Sequence, residues 1–136
     1  MRIFLDTNIF LDLILKRPAY KDALTIFDAV EQGLVEAVIA DITILNIDYI
    51  ARKQVVDIRK FLTLLNTLFV VVGASNSAIG EALNIKNNDL EDNLQYILAK
   101  SSNCSVIVTN DKKFFQGEVP LLNSQEFVER YLIGIR

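Results

Sequence analysis

The sequence predicts a three-layer α/β domain, with a mostly parallel central sheet of about five strands covered by helices on both faces. Two observations predict it. Short β-branched runs alternate with segments whose apolar residues recur at helical spacing, and the runs are apolar throughout, as strands buried on both faces require. A third bears on function: two of the runs, at residues 3–5 and 105–108, lead into an aspartate. In sheets of this kind ligands bind beyond the carboxyl ends of the strands, near the point where strand order reverses.

The elements follow in order. Residues 3–5 are the first strand, and Ile9, Phe10, Leu13 and Ile14 recur at helical spacing as far as Pro18. A second helix runs over residues 19–33 with Ala23, Ile26, Phe27 and Val30 on one face and Gly33 as its stop. Residues 35–40 are a strand. Asp41 or Thr43 caps a helix carrying Ile44, Ile47, Ile50 and Ala51, and another helix covers residues 55–66. Residues 69–72 are a strand, Ser75 or Ser77 opens a short helix toward Ile85, and Asp89 caps one carrying Leu90, Leu94, Ile97 and Leu98. Strands at 105–108 and 119–122 and a helix over 124–132 complete the pattern.

Composition narrows the chemistry. The chain has 136 residues without repeat, low-complexity stretch or composition shift, so residues 1–136 are expected to form a single domain. At 51% hydrophobic residues it is rich in apolar side chains for its size, which suggests that a partner covers some of them. The longest uncharged apolar run, residues 64–74, is too short to cross a bilayer as a helix, and Asp6 and Asp12 interrupt any signal-peptide core, so a cytoplasmic location is expected. Cys104 is the single cysteine, read as a small buried hydrophobe, and there is no histidine. Ser-His-Asp and Cys-His nucleophilic sites and His-liganded metals are thereby excluded, and catalysis must use carboxylates. The net charge of −3 argues against nucleic-acid binding by bulk electrostatics, but a cation-charged acidic pocket could still hold a phosphate.

Each candidate carboxylate has two readings. Asp6 and Asp111 both follow strands, where aspartate commonly caps the next helix or turn. Their repetition favours a site, because two carboxylates aimed into one crevice need a cation. In Asp89-Leu90-Glu91-Asp92-Asn93, acids in a first helical turn already complement the helix dipole. Asp89 reads as the cap and Glu91 as solvated, while Asp92 sits at the edge of the apolar face, able to point into the crevice.

Three segments, Leu5-Asp6-Thr7-Asn8-Ile9-Phe10-Leu11-Asp12, Asp89-Leu90-Glu91-Asp92-Asn93-Leu94-Gln95 and Ile107-Val108-Thr109-Asn110-Asp111-Lys112-Lys113-Phe114, resemble the signatures of PIN domains in order and spacing. Ala40 to Asn46, with Tyr49, Ile50, Arg52 and Lys53, resembles the family's middle helix. The resemblance implies a metal-dependent endoribonuclease, often the VapC-type toxin of a type II toxin-antitoxin pair. It places Asp6, Asp92 and Asp111 at metal-ligand positions, with Thr7, Asn8 and Thr109 in support or acting only as turn and capping residues. Mg2+ is the expected ion and Mn2+ its substitute. Asn46 stands where many members carry a glutamate, as in a subgroup that this chain resembles; it is a neutral oxygen donor or a helix-surface residue. Asp48, about 200° further round the helix, should not replace that acid.

Arg52, Lys53, Lys112 and Lys113 are the best-placed cations for an RNA backbone, or else ordinary surface charges. No interleaving of aromatic and basic residues for stacking unpaired bases is visible. An antitoxin is expected to lay an amphipathic segment over apolar helix faces near Leu13, Ile26 or Ile50, and a homodimer through similar surfaces is a further expectation. Two other classes compete with the nuclease. One is a PIN-like binding or scaffold domain that has lost hydrolysis, suggested by Asn46. The other is a phosphate-handling receiver or phosphatase, which would need a paired acid beside its nucleophile that Asp6-Thr7-Asn8 does not supply.

Overall fold

The computed structural model describes residues 1–134. Five strands, β1 (Arg2–Leu5), β2 (Glu36–Ala40), β3 (Val70–Val72), β4 (Val106–Val108) and β5 (Leu121–Leu122), form one sheet in the order β3-β2-β1-β4-β5. Every neighbouring pair is parallel, with Phe4 opposite both Val38 and Ile107. Helices α1 (Thr7–Ile14), α2 (Tyr20–Glu31), α3 (Asp41–Ala51), α4 (Ile58–Leu68), α5 (Asn76–Asn84), α6 (Leu90–Ser101) and α7 (Ser124–Phe127) connect and cover the strands, and a π-helical turn, Val128–Leu132, follows α7.

Strand alternation builds the layers. Ile3, Leu5, Ala37, Ile39, Val106 and Val108 face a core completed by α1, α2, α3, α4 and Phe127, whereas Phe4, Val38, Ala40 and Ile107 face one completed by α5 and α6. Ile3, Phe4 and Leu5 are all fully buried. At about 2 kcal/mol for each such side chain, their burial fixes β1 whatever Asp6, the next residue, costs. Cys104 is buried as expected, and burial pushes its thiol up to about 11.

The expected elements are present with shifted ends. Gly33, at φ 76°, supplies the left-handed turn after α2, and Ser75, not Ser77, caps α5 by accepting from Ala78 N. Neither Asp41 nor Thr43 caps α3, which starts at Asp41 without a side-chain cap and leaves Thr43 buried inside it. The expected strand at 119–122 shortens to two residues because Pro120 has no N–H to give, although its carbonyl accepts from Ile107 N at 2.9 Å. The expected last helix is a single α turn that widens into the π turn.

The site follows from the strand order. From β1 the chain moves outward through β2 and β3, then returns to pair β4 on the other side of β1. The connections leaving β1 and β4 diverge there, and they begin with Asp6 and with Thr109-Asn110-Asp111.

Candidate active site

Asp6 occupies the N-cap position of α1, yet its side chain makes no capping bond. The carboxylate turns into the crevice instead, where Oδ1 accepts from Gln95 Nε2 at 3.0 Å and Oδ2 accepts from Thr109 Oγ1 at 2.8 Å. Thr109 Oγ1 also accepts from the backbone N–H of Asp111 at 3.1 Å, so one hydroxyl holds both aspartates in register. Burial pushes the Asp6 carboxyl up to about 6, against the opposing pull of the Thr109 and Gln95 bonds, with Glu91 and Asp111 adding repulsion.

Asp92 enters from the first turn of α6. Asp89 caps that helix by accepting from Asp92 N at 3.1 Å, which pins the turn and directs the Asp92 side chain toward the strand ends. Asp92 is buried, and its Oδ2 has no hydrogen-bond partner. Desolvation, a carboxyl contact with Asp111 and the charges of Asp6 and Asp89 together push its carboxyl up to about 8. Asp111 is half-buried, and its Oδ1 accepts from Lys113 N at 2.9 Å, closing the turn after β4.

Carboxylate oxygens of Asp89, Asp92 and Asp111 lie within 4.8 Å of one another. Asp6, Thr7, Asn8, Asn46, Tyr49 and Glu91 join these three around a cleft of about 280 Å³. The structure thus brings together all four residues expected to be catalytic. Asn46 is half-buried on the cleft wall. Asp48 turns elsewhere and pairs with Arg52 at 3.9 Å, as its angle round the helix requires.

The donor set fits a divalent cation. Hard oxygen ligands are crowded at the ends of rigid elements, one buried carboxylate oxygen is unpartnered, and two carboxyls are pushed up, chiefly by burial and then by neighbouring acids. Asp89 belongs to that set as well as being the cap to which sequence reasoning confined it.

The supporting residues divide. Thr109 holds Asp6 directly. Thr7 reaches away from Asp6: its hydroxyl donates to Glu91 Oε2 at 3.2 Å and receives the proton of Thr43 at 2.9 Å. This corrects the reading of Glu91 as solvated, for it is half-buried on the cleft wall. Asn8 is exposed at the cleft edge. Gln95 was missed as a site residue although it is completely buried. The available signal was a glutamine three residues after Asp92, on the same helical face.

Of the four expected cations, Arg52 lies beside the cleft with its guanidinium carbon 5.6 Å from the centroid of the Tyr49 ring. Lys53 is exposed, and Lys113 is exposed in the turn after Asp111. Lys112 lines a second polar hollow of about 270 Å³ with Gln116, Asn123 and Glu126, and Asp111 borders both hollows.

A PIN domain family model matches residues 2–113. Ribonuclease VapC1 of Aquifex aeolicus (strain VF5) is 36% identical over 81 residues, which cover 59% of this chain and 56% of that protein, so the chain matches only about half its length. The fold is also found in a toxin-antitoxin complex from Klebsiella pneumoniae, at TM-score 0.68, 21% identity and coverage of 90% of this chain and 97% of that one. VapBC2 from Rickettsia felis, bound to a DNA fragment from its promoter, gives TM-score 0.66 at 20% identity and coverage of 90% and 98%. VapC20 of Mycobacterium tuberculosis, a sarcin-ricin loop cleaving toxin, gives TM-score 0.66 at 10% identity and coverage of 82% and 92%.

Proposed function

The chain belongs to the PIN domain family, and from that premise we propose that it is a divalent-metal-dependent endoribonuclease acting as the toxin of a type II toxin-antitoxin pair. The observation that carries the reading is the buried, unpartnered Oδ2 of Asp92, crowded by Asp89 and Asp111 at the strand ends. A scaffold has no use for so costly an arrangement. The VapC1 relative supports the same activity.

Asp6, Asp92 and Asp111 would hold the ion, with Asp89 at its edge and Asn46 as a neutral oxygen donor. Mg2+ is the ion we assign and Mn2+ its substitute. Bound there, a divalent ion would polarise the phosphate and make a water more acidic. Gln95 and Thr109 keep Asp6 ionised and oriented by donating to its two oxygens. Asp111, with one oxygen held by Lys113 N, is positioned to take a proton from an attacking water on the other. Arg52 and Lys53, at the end of α3, and Lys112 and Lys113, directly after Asp111, would receive the RNA backbone.

Residues 1–136 would act as one domain, a reading supported by the sheet that joins β1 to β5. No helix among the described residues is long and apolar enough to cross a membrane. A cytoplasmic location accords with the single buried Cys104. An antitoxin would find an apolar groove between α1 and α4, lined by Leu13, Ile14, Val55, Phe61 and Leu64. A homodimer would use other exposed apolar faces.

Labelled structured and unstructured RNAs, incubated with the protein in Mg2+ or Mn2+, test the activity. Cleavage is expected with either ion and should be absent in EDTA, in Asp6→Asn and in Asp92→Asn. A folded wild type that binds Mn2+ yet cuts no RNA would turn the conclusion to the binding-domain alternative.

A further inference from the structure

We propose that Tyr49 is a stacking platform for an unpaired RNA base next to the bond that is cut. The proposal rests on the ribonuclease reading and adds to it a residue that holds the substrate.

Tyr49 lies on α3 and lines the same small cleft as Asp6, Asn46, Asp92 and Asp111, yet it is 74% exposed. An aromatic ring left open to water at the rim of an acid cleft gives up the apolar burial that its size favours. Arg52, one helical turn on, sets its guanidinium over the ring at 5.6 Å from the centroid. One face of the phenol is thus covered by a cation, and the open side offers a flat apolar surface to a second planar group.

A nucleobase has the shape to complete a base, tyrosine and guanidinium stack, and the phosphate attached to it supplies a second negative charge for Arg52. The ion pair of Arg52 with Asp48 is long and exposed, 3.9 Å with Arg52 53% exposed, so it offers little resistance when Arg52 turns to a phosphate. That charge match selects RNA over an apolar peptide at this spot. A duplex keeps both faces of each base covered by its neighbours, so only an unpaired nucleotide can lay one on Tyr49. The cleft is small and Tyr49 forms part of its wall, which puts the stacked nucleotide beside the phosphate that the acids would attack.

The test measures binding without turnover. Fluorescence anisotropy of a short single-stranded RNA, its blunt duplex and an abasic version of the single strand is followed with calcium in place of magnesium. Wild type is compared with Tyr49→Ala, Tyr49→Phe and Tyr49→Trp. The expected result is that Tyr49→Ala binds the single strand about 10-fold more weakly, while the aromatic variants stay within about 2-fold of wild type. Duplex affinity should not change, and the abasic strand should bind wild type and Tyr49→Ala alike. Equal binding of the single strand by wild type and Tyr49→Ala overturns the proposal while leaving the ribonuclease reading standing. A Tyr49→Ala variant that changes only its sedimentation does the same, and marks Tyr49 as a protein contact. A wild type that binds Mn2+ but no RNA removes both.

Discussion

Asn110 Nδ2 donates to Asp12 Oδ2 at 2.9 Å, while Asn110 Oδ1 accepts from the backbone N–H of Ser124 at 2.9 Å and from its hydroxyl at 3.1 Å. One amide therefore clamps the turn after β4, just before Asp111, to α1 on one side and α7 on the other. Asp12 is buried, and its other nearby charge, Arg17, is 3.9 Å away.

Removing that amide should cost more than one hydrogen bond. In Asn110→Ala the Asp12 carboxylate loses a buried donor and Ser124 loses its acceptor, so unfolding in urea should show a loss of about 2–3 kcal/mol. Asp12→Asn should cost less, because an amide oxygen can still accept from Asn110.

Gln95 acts on Asp6 from outside the acid cluster. Its Nε2 donates to Asp6 Oδ1, and its own Oε1 has no partner. Gln95→Leu keeps the volume and removes the donor. Mn2+ affinity measured by calorimetry should fall about 10- to 100-fold, as when other supports of metal ligands are lost. Thermal stability should fall modestly, since Asp6 Oδ1 loses a buried donor while the unpartnered Gln95 oxygen leaves with the side chain.

The acids make stability depend on pH in a direction set by their shifts. Asp6 is raised from 3.8 to about 6 and Asp92 to about 8, both chiefly by burial, so the folded chain holds protons that the unfolded chain releases. The stability that these protons carry is complete below the unfolded value and is lost as pH rises through the folded ones. In EDTA the Tm should therefore fall between about pH 5 and pH 9. Asp92→Asn should flatten the upper part of that fall and raise the Tm at alkaline pH. Added Mn2+ should oppose the fall in wild type and do so much less in the variant.

Gly117 packs directly on Tyr96. A Cβ placed there would collide with the ring, whose hydroxyl accepts from Glu118 N at 2.8 Å. Tyr96 is buried and meets Phe115 edge-on at 4.8 Å between centroids, so the ring has nowhere to move. Gly117→Ala should destabilise by about 1–3 kcal/mol in chemical denaturation, whereas Gly80→Ala, in α5 with open space around it, should be neutral or stabilising.

What the sequence made legible was periodic or ordered. The apolar runs of β1, β2 and β4 announced strands buried on both faces, and an aspartate after β1 and near β4 announced the crevice. Asp6 declines the cap that its position offers and turns toward Gln95 and Thr109 instead. Gln95 stayed hidden because a glutamine at the edge of an amphipathic helix reads the same whether its amide meets water or a carboxylate. Glu91 was misjudged for a related reason, and Asp89, a cap as expected, also borders the acid cluster. Acids in a first helical turn have an adequate local explanation, and only the approach of β1 and β4 shows that they have another. The pairing of Tyr49 with Arg52 is likewise a matter of one helical turn whose exposed face no local pattern marks.

The pairing of Phe4 with Ile107 joins strands separated by about a hundred residues of chain. Asp6 therefore meets Asp111 only when the sheet has closed around β1. The assembled acid cluster is accordingly a property of the finished fold. During synthesis the acids stay apart until β4 and the turn carrying Asp111 have emerged, so a chain halted earlier holds no such site. Activity and the far-ultraviolet signal of the sheet should vanish at one denaturant concentration.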